Sequence, residues 1–200
     1  MYGRQFLTIV FGLLLIFAGC LPLPVSIHGL ARDANDVVFE PNLEGLWQED
    51  ANDPNSTLWK FEFAGDSNKP CYFMEYDEKD KDPAAFMAVV IKIDDQRFLD
   101  IYPEDPNYNL SYLTSCSFVK GHVFMKIDQT APTLQIRMMD NDKVKKLLEE
   151  FPQAVRHEVS DDGRIILTAP AHELQEFLRG YQDRIFNDPS NMMRLAEEQQ

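Results

Sequence analysis

The sequence predicts a mainly β protein: an eight-stranded antiparallel barrel followed by a helix, a hairpin and a C-terminal helix. Three observations indicate this fold class. Between residues 43 and 138, short segments with apolar residues at every second position alternate with turn-rich stretches, which is typical of antiparallel strands. Eight such segments with short connections can close into a small barrel. After residue 140 the apolar period changes to that of a helix.

The first three predicted strands are short and rich in aromatic residues. In the second strand, Trp59, Phe61 and Phe63 share one face, while two charged residues take the other. A polar, glycine-containing stretch turns the chain before the third strand. The three segments are Leu43–Gln48, Leu58–Phe63 and Cys71–Tyr76.

Five further segments complete the predicted barrel. The first of them is a long apolar strand that ends in a tight turn at Asp94-Asp95. The last two each place three apolar side chains on one face. The five segments are Ala85–Ile93, Phe98–Tyr102, Ser111–Val119, His122–Asp128 and Thr133–Met138.

The helical addition begins after Asp140-Asn141, which can cap a helix. An apolar stripe at i, i+3, i+4 and i+7 predicts an amphipathic helix, which Pro152 ends. The stripe consists of Val144, Leu147, Leu148 and Phe151.

Two more elements and a short final helix are predicted beyond this helix. Val155–Val159 and Arg164–Thr168 flank a turn that contains Gly163, which predicts a hairpin. A second amphipathic helix begins near Pro170. The stretch from Asp188 is expected to open a last short helix that contains Met192, Met193 and Leu195.

Residues 1–19 are predicted to form an export signal. Arg4 precedes an apolar run of about a dozen residues, which is too short for a membrane span. Ala18-Gly19-Cys20 resembles the bacterial lipobox, which implies lipidation of Cys20 and a membrane anchor. By the same resemblance, Leu21 after the cysteine implies an outer-membrane lipoprotein that faces the periplasm. The alternative is a secreted protein whose ordinary signal peptide is cleaved later, for instance after Ala31.

The mature chain is expected to contain an anchor and tether over residues 20–42 and a single domain over 43–200. The tether is rich in proline and has no sustained periodicity. The mature chain has 18 basic and 33 acidic residues. This acidity excludes nucleic acid as a partner, because phosphates require a basic surface. Since an oxidising compartment favours disulfides, Cys71 and Cys116 are expected to pair.

Gly45-Leu46-Trp47 resembles the Gly-x-Trp element of lipocalins and related calycins. That resemblance implies a barrel whose tryptophan closes one end, with an arginine from the last strand packed over the indole ring. Arg137 on the eighth predicted strand is the candidate for that arginine, and a helix follows it as in the family. The stretch Phe98–Pro103 is also similar to uncharacterised bacterial lipoproteins.

Catalytic and metal-binding motifs are not found in the sequence. The four histidines have no metal-ligand spacing, and no nucleophile elbow, calcium loop or phosphate-binding glycine loop occurs. We therefore expect a non-catalytic protein without a metal or cofactor.

The leading functional hypothesis is an envelope lipoprotein that binds a small hydrophobic ligand in its barrel. The candidate lining residues are Trp59, Phe61, Phe63, Val89 and Ile91. The alternative hypothesis is a scaffold or assembly protein that contacts another envelope protein. A hollow interior favours the first hypothesis, and a filled interior beside an exposed apolar patch favours the second.

Overall fold

The computed structural model describes residues 22–50, 52–53, 55–66, 69–104 and 119–196. It confirms the predicted fold class: a closed, antiparallel, eight-stranded barrel with a helix, a small hairpin and a second helix after it. The barrel strands in spatial order are β11 (Ser190–Arg194), β2 (Gly45–Gln48), β3 (Leu58–Phe63), β4 (Tyr72–Asp77), β5 (Ala84–Ile93), β6 (Gln96–Pro103), β7 (Val123–Gln129) and β8 (Thr133–Met138).

The identity of the eighth strand differs from the prediction. β6 pairs directly with β7, so no other strand lies between them. The predicted strand Ser111–Val119 falls almost wholly outside the described residues. β11 closes the barrel instead, by pairing with both β8 and β2. The stretch around Met192 was expected to be helical, and that prediction was wrong.

The strands of the barrel have two different faces. Side chains of β2–β8 and β11 that point inward form an inner cluster. Alternate side chains of β5, β6 and β7 point outward and are also buried, because helices cover them. The inner cluster consists of Leu43, Trp47, Trp59, Phe61, Tyr72, Met74, Ala88, Val90, Leu99, Ile101, Met125, Ile127, Leu134, Ile136 and Met192.

An outer cluster packs on the covered side of the barrel. α1 (Asn141–Glu150) begins at Asp140, whose carboxylate accepts a hydrogen bond from the backbone N–H of Lys143 at 2.8 Å. α2 (Ala171–Ile185) follows Pro170. The hairpin of β9 (His157–Val159) and β10 (Ile165–Leu167) lies between the two helices in sequence. Outward residues of the barrel contribute Ile91, Ile93, Phe98 and Phe124, and the other elements contribute Leu30, Val144, Leu147, Leu167, Leu174, Phe177 and Leu178 among others.

The segment before the barrel packs against the rest of the fold. β1 (Val25–Ser26) pairs in parallel with β10, and Leu30 is fully buried in the outer cluster. A 3₁₀ turn spans Ala34–Asp36, and the N–H of Val38 then donates to Val90 O at 2.9 Å. The described part of residues 20–42 is therefore an integral layer of the domain, and the prediction of a tether up to residue 42 is corrected.

Candidate functional site

Trp47 is fully buried in the inner cluster, and an arginine covers its ring. The guanidinium carbon of Arg194 lies 4.3 Å from the centre of the indole ring. Its two terminal nitrogens donate to Glu44 O at 2.5 Å and to Asn42 O at 2.6 Å. Gly45 has a φ of +128°, and a Cβ there would lie 2.5 Å from Nη1 of Arg194. This position therefore requires glycine.

The covering arginine is Arg194 of β11, whereas the sequence suggested Arg137. Arg137 lies on β8 and its Nε donates to Asp128 Oδ2 at 2.5 Å. The physical reason is the strand order: β11 inserts between β8 and β2, so β11 is the neighbour of Trp47.

The candidate lining residues do not converge on one cavity. Trp59 and Phe61 point into the barrel and belong to the inner cluster. Phe63 lies at the end of β3 and is 37% exposed. Val89 and Ile91 point outward and pack in the outer cluster. The predicted lining set is therefore divided between the two faces of the sheet.

The barrel interior is filled by its own side chains. A void large enough for a water molecule would expose part of its wall. However, the aromatic side chains of the inner cluster are no more than 1% exposed, and none of its side chains is more than 6% exposed. Three pockets of the described part of the chain are lined by residues outside the inner cluster. The fully buried interior side chains include Trp47, Trp59, Phe61, Tyr72, Met74, Leu99 and Met125.

A buried polar network fastens the segment around Glu40 to the barrel. One carboxylate oxygen of Glu40 accepts from Thr130 Oγ1 at 3.0 Å, and the other pairs with Arg97. The Tyr72 hydroxyl donates to Glu40 O at 2.9 Å and accepts from Glu40 N–H at 2.9 Å. Burial raises the pKa of Tyr72 to about 12, so the phenol is neutral at physiological pH. Together with Leu43, this network holds the segment in place.

The second tryptophan of the interior is also hydrogen-bonded. Trp59 Nε1 donates to Glu49 Oε1 at 2.9 Å, and its ring packs edge-on against Tyr76 at 5.2 Å. An open depression of about 560 Å³ lies outside this region, and Glu49, Asp50, Glu78 and Asp80 are among its lining residues. It is wide, polar and strongly acidic.

An exposed aromatic group remains on the surface. Phe39 is 52% exposed, and its ring lies 5.0 Å from that of Phe63 in an edge-to-face arrangement. Both rings also lie near Tyr72, at 6.4 Å and 5.9 Å. We call Phe39 and Phe63 the aromatic pair. The sequence indicated Phe63 as a strand residue but gave no signal for Phe39.

A buried carboxylate joins three segments on the outer face of the barrel. Asp100 on β6 is 2% exposed. Its Oδ1 lies 2.7 Å from Nδ1 of His122, and its Oδ2 accepts from the N–H of Leu30 at 2.8 Å. The His122 ring also packs 5.0 Å from Tyr102. The hydrogen bonds of Asp100 link β6 both to the entry segment and to the start of β7, which is a structural role.

The cysteines are only partly within the described residues. Cys71 is half-buried with a free thiol, and burial raises its pKa, which lowers its reactivity. Its predicted partner Cys116 and the predicted lipidation site Cys20 lie outside the described residues, as does the predicted signal peptide over 1–19. No disulfide occurs within the described part of the chain.

No group of three or more His, Cys, Asp or Glu side chains in the described residues is arranged to hold a metal ion. None of the described helices is long and apolar enough to cross a membrane.

Comparisons with protein-family models, curated proteins and solved structures give no match to this chain.

Proposed function

We propose that this protein is a non-catalytic envelope lipoprotein, anchored through Cys20, that acts by binding another envelope protein. The filled barrel interior is the observation that carries the proposal. A hydrophobic ligand would have to displace fully buried side chains such as Phe61 and Leu99, because no empty volume adjoins them. A surface role needs no such rearrangement.

The aromatic pair is the proposed contact surface. Exposed aromatic side chains contribute more to protein interfaces than other residue types, because they bury a large area with little loss of conformational freedom. Phe39 belongs to the segment that the Glu40 network holds in place, so it is presented on a rigid support. Binding would therefore require little ordering of the contact residues.

Two finer features belong to the same proposal. The arrangement of Arg194 over Trp47 supports a lipocalin-like barrel, with the arginine supplied by β11. Export to an oxidising compartment supports a disulfide between Cys71 and Cys116.

Native mass spectrometry tests the proposal against the carrier function. The chain from Leu21 to Gln200, exported to a bacterial periplasm, contains every described element of the fold. We expect the mass of the protein alone in repeated preparations. A bound lipid or other small molecule that dissociates on activation would contradict the proposal. The same spectrum tests the disulfide, since the oxidised protein is about 2 Da lighter than the dithiol.

Site-specific photo-crosslinking tests the contact surface in cells. A benzophenone side chain at position 39 is expected to give a discrete adduct with an envelope protein, whereas the same group at exposed Lys79 gives none. Reciprocal tagging of the identified partner must reproduce the adduct. Equal labelling from both positions would mean that the aromatic pair is not a specific interface.

Metabolic labelling tests the anchor separately. Radiolabelled palmitate is expected to label the full chain and not the Cys20→Ser variant. If the full chain is unlabelled, the protein is secreted by an ordinary signal instead.

A further inference from the structure

A groove of about 630 Å³ lies between α2 and the chain that leads into β9. Tyr181 of α2 and Ala154 contribute its apolar surface, Phe177 beside them is buried, and Glu176 lies on the same side as Tyr181. The opposite wall includes His157 and Glu158 of β9. The groove thus combines a helix on one side with a strand on the other.

β9 is the edge strand of the small sheet whose order is β1–β10–β9. The hydrogen bonds of β9 to the following strand are fixed by the register. Ser160 N–H donates to Arg164 O at 3.0 Å, and Thr168 N–H donates to Arg156 O at 2.9 Å. In an antiparallel ladder every second residue exchanges such bonds, so Glu158 is the β9 residue whose backbone faces β10.

The backbone groups of His157 and Val159 therefore point away from β10. The contacts of β10 with β1 are consistent with this alternation. Leu167 is the residue opposite His157, and its carbonyl points away from β9 and accepts a hydrogen bond from Ile27 N–H at 3.0 Å on the side of β1. No strand of the described chain pairs with the outer side of β9. This leaves N–H and C=O groups available on an edge that adjoins the groove.

The charged side chains beside this edge determine which charge a partner must carry. Arg156 and Glu173 neutralise each other through two hydrogen bonds of 2.8 and 2.9 Å. Glu158 and Glu176 are exposed carboxylates with no ion-pair partner among the described residues. The groove is therefore locally acidic.

We propose that this groove binds an extended, basic segment of another protein, which adds to β9 as a further strand. The backbone of the segment pairs with His157 and Val159, its apolar side chains contact Ala154 and Tyr181, and a lysine or arginine pairs with Glu158 or Glu176. A second copy of this chain is disfavoured as the occupant, because each copy has a net charge of −14. The short edge limits the complex to a weak and reversible one.

The groove shares no residue with the aromatic pair or the barrel interior, so its binding role is independent of the proposed function. Peptide display tests the binding role of the groove directly. A phage library of random dodecapeptides is selected on the chain from Leu21 to Gln200. We expect enrichment of peptides with alternating apolar and basic residues. Addition of one such synthetic peptide should shift the backbone amide resonances of His157 and Val159.

Two variants separate the backbone contact from the charge contact. Val159→Pro removes the outward N–H and leaves the ladder to β10 intact, since proline is tolerated on edge strands. It should reduce the affinity for the selected peptide by about tenfold or more. Glu158→Lys/Glu176→Lys should weaken it by a similar factor and favour acidic peptides instead. Glu104→Lys/Glu149→Lys makes the same charge change at exposed positions outside the groove and should have little effect.

Several results would overturn the proposal. One is the absence of any enriched peptide, and another is a selected peptide whose resonance shifts lie away from β9 and α2. Equal affinity for the parent and the Glu158→Lys/Glu176→Lys variant would also exclude it. If Val159→Pro fails to fold, as judged by its amide spectrum, the charge-reversed variant still decides the outcome.

Discussion

The inner and outer clusters are two cores built on the same strands, and they are assembled in different ways. The inner cluster draws mainly on barrel strands, and neighbouring strands from β2 to β8 are also neighbours in sequence. The outer cluster joins segments far apart in the chain, from Leu30 to Phe186. Its distant contacts are reinforced by buried polar groups. Gln175 Nε2, for example, donates to Leu30 O at 2.8 Å and to Asp36 Oδ2 at 2.9 Å.

This difference explains where polar groups are buried. A barrel interior can be filled by side chains alone, because the backbone groups of its strands are satisfied by their neighbours. A layer made of loops and short strands leaves backbone groups without strand partners. Asp36, Asp100 and Gln175 accept or donate the missing hydrogen bonds there. Through the carboxylate of Asp36, the outer layer should respond to pH.

The largest expected effects come from removing one aromatic ring from each cluster. Phe61→Ala in the inner cluster and Phe177→Ala in the outer cluster should each cost about 3–5 kcal/mol, because both rings are buried. Since β5, β6 and β7 belong to both cores, we expect one cooperative unfolding transition in each variant. Chemical denaturation followed by fluorescence and by circular dichroism measures this.

Transitions that separate between the two probes in Phe177→Ala alone would contradict a shared unit. In that case the helical layer would unfold independently of the barrel.

Asp36 should make the outer layer sensitive to acid. Its carboxylate accepts hydrogen bonds from the Arg32 side chain, the Arg32 backbone N–H and Gln175. The ion pair with Arg32 holds the pKa of Asp36 well below its ordinary value. A depressed pKa in the folded state stabilises the protein above the unfolded value of about 4, and this contribution is lost as the pH falls further.

The variant Asp36→Asn tests this expectation. It should lower the free energy of unfolding at pH 7 by about 1.5–3 kcal/mol, because the hydrogen bonds lose their charged acceptor. Its stability should also fall less steeply than that of the parent below pH 4. Asp161→Asn, at an exposed turn position, is the matched control and should follow the parent curve. Parallel curves for the parent and Asp36→Asn would exclude the assigned role.

The barrel strands that precede residue 138 could be predicted because apolar residues occur at every second position along them. The two-sided burial of β5 could not be seen in the same way. The run Ala88–Ile91 is apolar on both faces, so alternation does not separate Val90, which points inward, from Ile91, which points outward. The sequence pattern therefore groups Val89 and Ile91 with the interior aromatic residues.

The wrong predictions near the two ends of the chain arose because contacts with segments distant in sequence fix the structure there. β11 is short, and only Met192 of its five residues is buried, so it lacks a period that local reasoning can detect. Which arginine covers Trp47 depends on the closing strand pair, which no local pattern encodes. Leu30 and Leu43 are isolated apolar residues in an irregular stretch, and both are fully buried. The position of Leu30 depends on a hydrogen bond from its N–H to the distant carboxylate of Asp100.

Replacing either of the two arginines considered for barrel closure should reduce stability less than the substitutions above, and the two losses should differ. Arg194→Met removes the contact with the Trp47 ring and two hydrogen bonds to backbone carbonyls. We expect a loss of about 1–2 kcal/mol in the free energy of unfolding. Arg137→Met removes one partly exposed ion pair with Asp128 and should cost no more than about 1 kcal/mol. Urea denaturation of both variants makes the comparison, and the reverse order would return the closing role to Arg137.

The smallest effect on stability is expected at the aromatic pair, where the effect on function should be largest. Phe39→Ser removes a half-exposed ring whose main contacts are Phe63 and Tyr72, so the free energy of unfolding should change by only about 0.5–1 kcal/mol. Phe151→Ser changes a similarly exposed ring, which packs on Tyr181, and is the matched control. Co-purification with the crosslinked envelope partner should be lost in Phe39→Ser and kept in Phe151→Ser. If both variants keep the partner, the protein-contact function must reside on another surface, since neither change disturbs the filled interior.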